Sequence, residues 1–411
     1  MSRESPELLF SSYHNYLDVQ SGASISTRAT LSLLSQRGWR VRTLCGAFFD
    51  GVQNAEEAFY SRMRRLGLTV TRETYVTNFD GKSYSFRLFH FNDGGIESTF
   101  FLPADSISQS AVSRLSRSSG TFFLDLLAKE TSRRAPDVYA SYGGYWAAKD
   151  AVERARSVGA RSVFLLHNLS YHDGSLFKRF DKVVVPSEFA RRSYHARLGF
   201  DSVALPPLVD ERLVCAKRRQ GNYVVFINPS PEKGLNFFLG LARDLARRRP
   251  EIPLLIVESR AHARGWERVP FVRDLRNLNV TDWVEDVRLI YGSTRVLLFP
   301  SVCEETFGRV ALEAAFNGVP VLCSDRGATR DLLTELGCGA YVLPIPARLT
   351  PSSRDFPTAT ETSPWLDALI ELWDAPDRAR EVGATLQSGA SAYGYDQVAR
   401  RTLAFFDSLL S

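Results

Sequence analysis

The stretch that decides the fold is "FPSVCEETFGRVALEAAFNGVPVLCSD", Phe299 to Asp325. A β-branched, apolar run, "RVLLFPS" from Arg295 to Ser301, reads as a buried strand. A helical pattern starts at Gly308 and stops at Asn317-Gly318, a residue pair suited to a helix end. A helix that follows a parallel strand points its first N–H groups at the sheet end where ligands of α/β folds bind. Gly308 lets backbone come close to an anion there, so the amides of Gly308, Arg309 and Val310 are candidate donors to a phosphate. Glu313, a turn and a half into the helix, repels an anion and suits a hydroxyl-bearing group such as a ribose diol. Glu305, ahead of the turn, is placed to hold a second polyol. A sugar, a diphosphate and a ribose in line would use both acids.

Working outward, the chain alternates strands and helices throughout. In the first half "LLFSSY", "VRTLCG", "DVYASYG", "SVFLLHN", "KVVVPS" and "SVALPP" read as strands, with helical segments such as "SISTRATLSLLSQRG" and "YWAAKDAVERARSVG" among them. Parallel strands need long crossovers, usually helical, so this is an α/β layer. Alternating segments within about 69–104 predict an antiparallel β insertion. Leu205 to Asn222, with its prolines and basic run, reads as a linker, after which "YVVFIN", "PLLIVES", "RVLLFPS" and "VPVLCS" restart the pattern. Ile345 to Pro364, rich in Pro, Ser and Thr, reads as a loop, and "QVARRTLAFFDSLL" as a final helix. The expected domains are 1–210 and 221–390, with 391–411 as a helix crossing back to the first.

Bulk composition excludes several classes. With 44% hydrophobic and 24% charged residues the chain is an ordinary globular protein, and 411 residues predict two domains. Met1–Asp210 holds 26 of the 51 basic and 21 of the 46 acidic residues, which confines the net charge of +5 to the first half. Short clusters such as Lys217–Arg219 and Arg247–Arg249 read as solvated helix ends, and no nucleic-acid partner is expected. Five cysteines without a C-x-x-C pair read as reduced thiols, and no run nears the ~20 apolar residues of a membrane span. The polar start lacks a signal-peptide core, so a cytoplasmic location is expected. Ser113 to Arg134 reads either as an ordinary amphipathic helix or as one lying on an anionic membrane surface.

The run from Glu304 to Leu333, "EETFGRVALEAAFNGVPVLCSDRGATRDLL", resembles the E-x7-E signature of retaining glycosyltransferases of the GT-B fold, glycosyltransferase family 4 in particular. Glu305, Phe307-Gly308, Glu313-Ala314 and Gly318-Val319-Pro320-Val321 fall in that family's register. The resemblance implies two Rossmann-like domains facing a cleft, a nucleotide-sugar donor and retention at the anomeric carbon. Lys233 in "INPSPEKGLNFF" matches the lysine that reaches the donor diphosphate. Five residues earlier the family usually has an arginine and this chain has Asn228, a neutral donor; Arg309 is a candidate stand-in. Gly22 in "SGAS" matches a glycine loop of the first domain, and His167 in "FLLHNLSYHDG" a histidine beside the transferred sugar.

Catalysis is thereby expected from Lys233, Glu305 and His167, with the donor held by Gly22, Asn228, Lys233, Phe307, Gly308, Arg309, Val310 and Glu313. No Asp-x-Asp triplet occurs, so a metal-independent reaction without a cofactor is expected. Two rival readings stay open: a catalytically silent protein of the same fold that binds nucleotide or glycan, and a sugar-nucleotide epimerase. The acceptor is not specified by the sequence, although the loops within Phe48–Ala104 are its expected wall. On family frequency uridine is the expected base, with GDP-mannose as the other candidate donor.

Overall fold

The computed structural model describes residues 5–49, 55–102, 116–259 and 269–411. Two compact units emerge: Met1–Pro186 with Arg191–Leu208 and Ala399–Ser411, and Ser187–Ala190 with Val209–Val398.

Among the described residues the first unit is built on nine strands. These are β1 (Glu7–Ser12), β2 (Arg40–Gly46), β3 (Thr71–Phe79), β4 (Lys82–Asp93), β5 (Ile96–Leu102), β6 (Val138–Ser141), β7 (Arg161–Leu165), β8 (Lys182–Val185) and β9 (Val203–Ala204). They form one sheet in the order β3-β4-β5-β2-β1-β6-β7-β8-β9. All pairings are parallel except β3 with β4 and β4 with β5. The antiparallel segment expected near 69–104 is therefore continuous with the main sheet, because β5 pairs in parallel with β2. Positions 103 and 104 of that segment, and 50–54 of the expected acceptor wall, lie outside the described residues.

The Phe100-Phe101 pair of β5 shows how sequence becomes packing here, since successive strand side chains point to opposite faces. Phe100 meets Phe59 of helix Ala55–Leu66 at 5.9 Å, whereas Phe101 meets Phe123 of helix Arg117–Arg133 at 5.6 Å. Each face of the sheet thus gains its own aromatic layer. Helix Arg117–Arg133, part of the segment read as amphipathic or membrane-lying, buries Phe122, Phe123, Leu126 and Leu127. Phe122 stacks on Phe86 of β4 at 3.8 Å. Its apolar stripe is occupied by the protein's own core.

Among the described residues the second unit has six strands: β10 (Tyr223–Ile227), β11 (Leu254–Val257), β12 (Leu278–Thr281), β13 (Thr294–Phe299), β14 (Val321–Ser324) and β15 (Val342–Leu343). All pairings are parallel, in the order β12-β11-β10-β13-β14-β15. This is the Rossmann order, in which the chain reverses direction across the sheet between β10 and β13. Val224, Val225 and Phe226, like Val296, Leu297 and Leu298, are buried in an unbroken run because helices cover both faces. Among the described residues no helix is long and apolar enough to cross a membrane.

One sequence expectation is corrected. Ile345–Pro364 is not loop to its end, because helix Ala359–Asp374 begins inside it. Thr358 and Glu361 close a capping box: the Thr358 side chain accepts from the Glu361 N–H, and Glu361 accepts from the Thr358 N–H at 2.8 Å. Pro364 lies inside the helix, in its second turn, and Trp365, Leu366, Leu369 and Leu372 anchor the helix in the core.

Candidate functional site

Where strand order reverses, the loops after β10 and β13 leave the sheet side by side, and this is where α/β folds place ligands. They are stitched together: the N–H of Val302 donates to the carbonyl of Glu232 at 3.1 Å. Gly234 holds a left-handed conformation (φ 84°), and a Cβ there would lie 1.8 Å from the Pro300 carbonyl oxygen. Only glycine fits so close an approach. The start of helix Gly327–Glu335, which follows β14, adds a third strut. The N–H of Ala328 donates to the Glu305 carbonyl at 2.8 Å, and a Cβ on Gly327 would strike the Glu305 backbone nitrogen at 2.3 Å.

These contacts bring Lys233 and Glu305 together. Lys233 Nζ lies 2.6 Å from Glu305 Oε1, and Ser301 Oγ donates to the same oxygen at 2.5 Å. The ammonium also sits 5.5 Å from the Phe299 ring centre. An ammonium has three donors, so Lys233 can bind Glu305 and still address an anion. Ser301 stands in the quoted motif, yet its tie to Glu305 becomes visible only when the loop is folded. Cys303, half-buried in this loop, has its thiol pushed up by burial and by Glu232 and Glu305, which favours the protonated form.

Helix Arg309–Phe316 starts at Gly308, left-handed at φ 93° and without a side-chain cap. A Cβ there would meet Thr329 Oγ1 at 2.5 Å. Its first turn, with the backbone of Gly308, Arg309 and Val310, is the positive end of a helix at the carboxyl edge of β13. The Phe307 side chain points into the core, 5.8 Å from the Tyr393 ring, so only its backbone is available to a ligand.

Glu313 is buried, and its two oxygens are engaged by different groups. Arg309 Nε donates to Oε1 at 2.7 Å and the Tyr291 hydroxyl to Oε2 at 2.8 Å. Burial, with the Glu313 charge adding to it, pushes the Tyr291 phenol well up, which keeps it a donor. Each carboxylate oxygen can accept a second hydrogen bond, so Glu313 retains capacity for a diol. Arg309 is correspondingly committed: its charge is neutralised by Glu313, one turn along its own helix, which weakens its candidacy as stand-in for an arginine at 228.

Asn228 has a backbone reason to be asparagine. It is left-handed (φ 61°), a region that Asn tolerates and long side chains avoid. Its N–H donates to the Val257 carbonyl, and its own carbonyl accepts from Ser230. Asn228→Arg is therefore expected to destabilise the protein by about 1 kcal/mol, with Asn228→Gly close to neutral. Urea unfolding of the two variants measures the difference.

Gly22 and His167 belong to the first unit. Gly22 opens helix Gly22–Gln36, capped by Ser21, whose side chain accepts from the Ser24 N–H. A Cβ on Gly22 would meet nothing within 4 Å, so local sterics do not require glycine there. His167 follows β7, with Nε2 3.3 Å from Thr27 Oγ1 and its ring edge-on to Tyr142 at 5.6 Å. It lines a small cavity with Leu166, Pro206 and Phe406. Burial pushes its imidazolium down to about 4, so His167 is neutral at physiological pH. Among the described residues no group of three or more His, Cys, Asp or Glu is arranged to hold a metal ion.

Comparison with known proteins agrees with this geometry. Residues 221–349 match the family model described as Glycosyl transferases group 1. The chain is 26% identical over 186 residues to D-inositol 3-phosphate glycosyltransferase of Paenarthrobacter aurescens, covering 44% of this chain and 42% of that protein. It is 30% identical over 189 residues to phosphatidyl-myo-inositol mannosyltransferase of Mycobacterium tuberculosis, covering 43% and 50%. The matches thus span about half the length of these curated relatives. Among solved structures, Anabaena HepE in complex with UDP and glucose superposes with a TM-score of 0.65 at 15% identity, over 98% of this chain and 100% of that one. The pneumococcal O-GlcNAc transferase GtfA in complex with UDP and GlcNAc gives 0.66 at 11% identity, over 99% and 100%. The chain has the GT-B fold, and its residues 221–349 are similar to the group 1 glycosyltransferases.

Proposed function

We propose that this protein transfers a hexosyl group from a nucleoside-diphosphate sugar, a UDP-sugar in first place, to an acceptor hydroxyl with retention and without a metal. The observation that carries the reading is the meeting of Lys233, Glu305 and Ser301 where the second sheet reverses order, beside the glycine-started helix at Gly308. HepE and GtfA, which share the fold, are solved with UDP and a sugar, and this supports a uridine donor.

In this reading the diphosphate lies against the first turn of helix Arg309–Phe316, with Lys233 as its mobile counter-charge. Negative charge grows on the β-phosphate as the glycosidic bond breaks, so a cation fixed there favours the transition state over the ground state. Glu305, oriented by Ser301 and by its backbone bond to Ala328, accepts hydrogen bonds from hydroxyls of the sugar. Glu313, held by Tyr291 and Arg309, accepts from the ribose. His167, neutral, suits hydrogen bonds to the hydroxyls of a sugar. The acceptor oxygen forms its bond on the face the phosphate leaves, and its proton passes to the departing phosphate oxygen. A cytoplasmic site of action, with or without peripheral contact to anionic membrane, completes the proposal.

Asn228 favours a second reading, in which the protein binds nucleotide or glycan without transfer. A charged hydrogen bond contributes about 1.5–3 kcal/mol and a neutral one about 1 kcal/mol, so replacing arginine weakens the hold on phosphate. Thermal melting with UDP, GDP, ADP and TDP, followed by turnover of the matching labelled sugar nucleotides, tests both. A ligand at about 100 times its Kd adds about 2.7 kcal/mol to stability, a shift of several degrees. The transfer reading expects one nucleotide to give that shift and its sugar nucleotide to be turned over. A shift without turnover of any donor favours the second reading, and four nucleotides without effect overturn both.

A further inference from the structure

The first unit carries an arrangement of which the reading above uses only His167. Its strand order also reverses, with β1 between β2 and β6, and three aromatic side chains gather where β1, β6 and β7 end. His14, just past β1, stacks on Tyr142, just past β6, with centroids 5.1 Å apart and planes 20° apart. On the same tyrosine His167 stands edge-on at 5.6 Å and 86°. Resting on the reading above, the geometry points to His14 as a second ligand-binding imidazole, held in line with His167 by Tyr142, the two together taking the hydroxyls of a sugar ring.

Tyr142 is fixed at both ends. Its carbonyl accepts from Ser12 Oγ at 2.7 Å, and its hydroxyl lies 3.2 Å from Ser24 Oγ. Ser24 in turn donates to the Asn15 carbonyl at 2.7 Å, so the start of helix Gly22–Gln36 is tied to the same tyrosine. The chain beyond Tyr142 leaves no slack. Gly143 is left-handed (φ 98°), and a Cβ there would lie 2.6 Å from His14 Cδ2. The Ser12 hydroxyl also accepts from the His14 N–H at 3.0 Å. A residue needed only for packing would be apolar and covered; His14 is instead half-buried, at the strand end where α/β sheets bind ligands.

The chemistry favours a polyol. Imidazole nitrogens can both donate and accept, matching vicinal hydroxyls, and the neutral His167 offers no charge to a phosphate. Tyr142 acts as a positioning residue: its ring fixes the planes of both imidazoles.

Histidine-selective labelling tests this in the full chain, since only six histidines are present and single substitutions assign their ring signals. UDP-glucose is expected to move the His14 and His167 signals together with one midpoint. His14→Phe keeps the stacked ring but removes both nitrogens; it should raise that midpoint, read on His167, about tenfold, as expected for one lost hydrogen bond, without changing the midpoint for UDP. Tyr142→Phe, which retains the ring, should preserve the joint response, whereas Tyr142→Leu should separate it. A His167 response without His14, or an unchanged UDP-glucose midpoint in His14→Phe, overturns the proposal. If UDP-glucose does not bind the wild-type protein, the donor reading has failed separately. Glucose, mannose and N-acetylglucosamine then serve as probes: a joint shift with any of them supports the imidazole pair, and silence with all three overturns it.

Discussion

Lys233→Met should lower donor turnover by about 10²–10³-fold, the range seen when one preorganised group opposite developing charge is removed. Methionine keeps the length and most of the apolar stem of lysine, so the substitution removes the ammonium with little change in packing. The charge matters because the two positions considered as substitutes do not supply one: Arg309 is spent on Glu313, and position 228 is a neutral asparagine. Folding should barely notice. The Lys233 and Glu305 side chains are 30% and 15% exposed, and a partly solvated pair of this kind contributes about 1 kcal/mol or less. Glu305 keeps its Ser301 hydrogen bond and its backbone tie to Ala328, so the carboxylate stays in place. Initial rates of UDP release from labelled UDP-glucose, compared with melting temperature, separate the two effects. Turnover within twofold of wild type, with an unchanged melting temperature, would remove Lys233 from the mechanism.

The elements legible in the sequence were those whose signal is local. Val224–Ile227 and Val296–Phe299 are apolar throughout because β10 and β13 are covered on both faces, and a run of that kind can be recognised without a partner. β12 and β15 went unseen: they are short edge strands whose identity comes from neighbours far along the chain. Pro364 hid the start of a helix, since a proline argues for a break while the capping signal Thr358-x-x-Glu361 argues for a start, and Trp365 in the core decides between them.

In the site the same division holds. Glu305, Gly308 and Glu313 are separated by few residues, so one helix and its leading loop fix their order. Lys233 lies 72 positions before Glu305, and only the strand reversal between β10 and β13 explains why they touch. Tyr291 and Ser301 carried no signal, because a tyrosine in a helix or a serine in a loop acquires meaning only from the carboxylate it meets. The asparagine at 228 was read for its side chain, whereas its left-handed backbone supplies a reason of its own.

Gly234→Ala carries the largest expected effect on stability, about 3 kcal/mol or more. The left-handed conformation at φ 84° costs an L-residue about 1–2 kcal/mol. Forcing a methyl group to 1.8 Å from the Pro300 carbonyl oxygen adds the cost of moving backbone apart, about 1–3 kcal/mol for ordinary overpacking. The obstacle is a backbone oxygen, which cannot rotate away as a flexible side chain would. Because that contact sets the spacing of the β10 and β13 loops, the variant should also separate Lys233 from Glu305, lowering turnover beyond the loss of folded protein. Gly22→Ala is the matched control. Its Cβ meets nothing within 4 Å and it sits at a helix start, so alanine should leave stability unchanged or raise it by about 0.5 kcal/mol. Urea unfolding of both variants, with turnover measured where each is folded, makes the comparison. A Gly234→Ala protein within 1 kcal/mol of wild type would mean that the two loops do not meet as described, and the pairing of Lys233 with Glu305 would lose its structural cause.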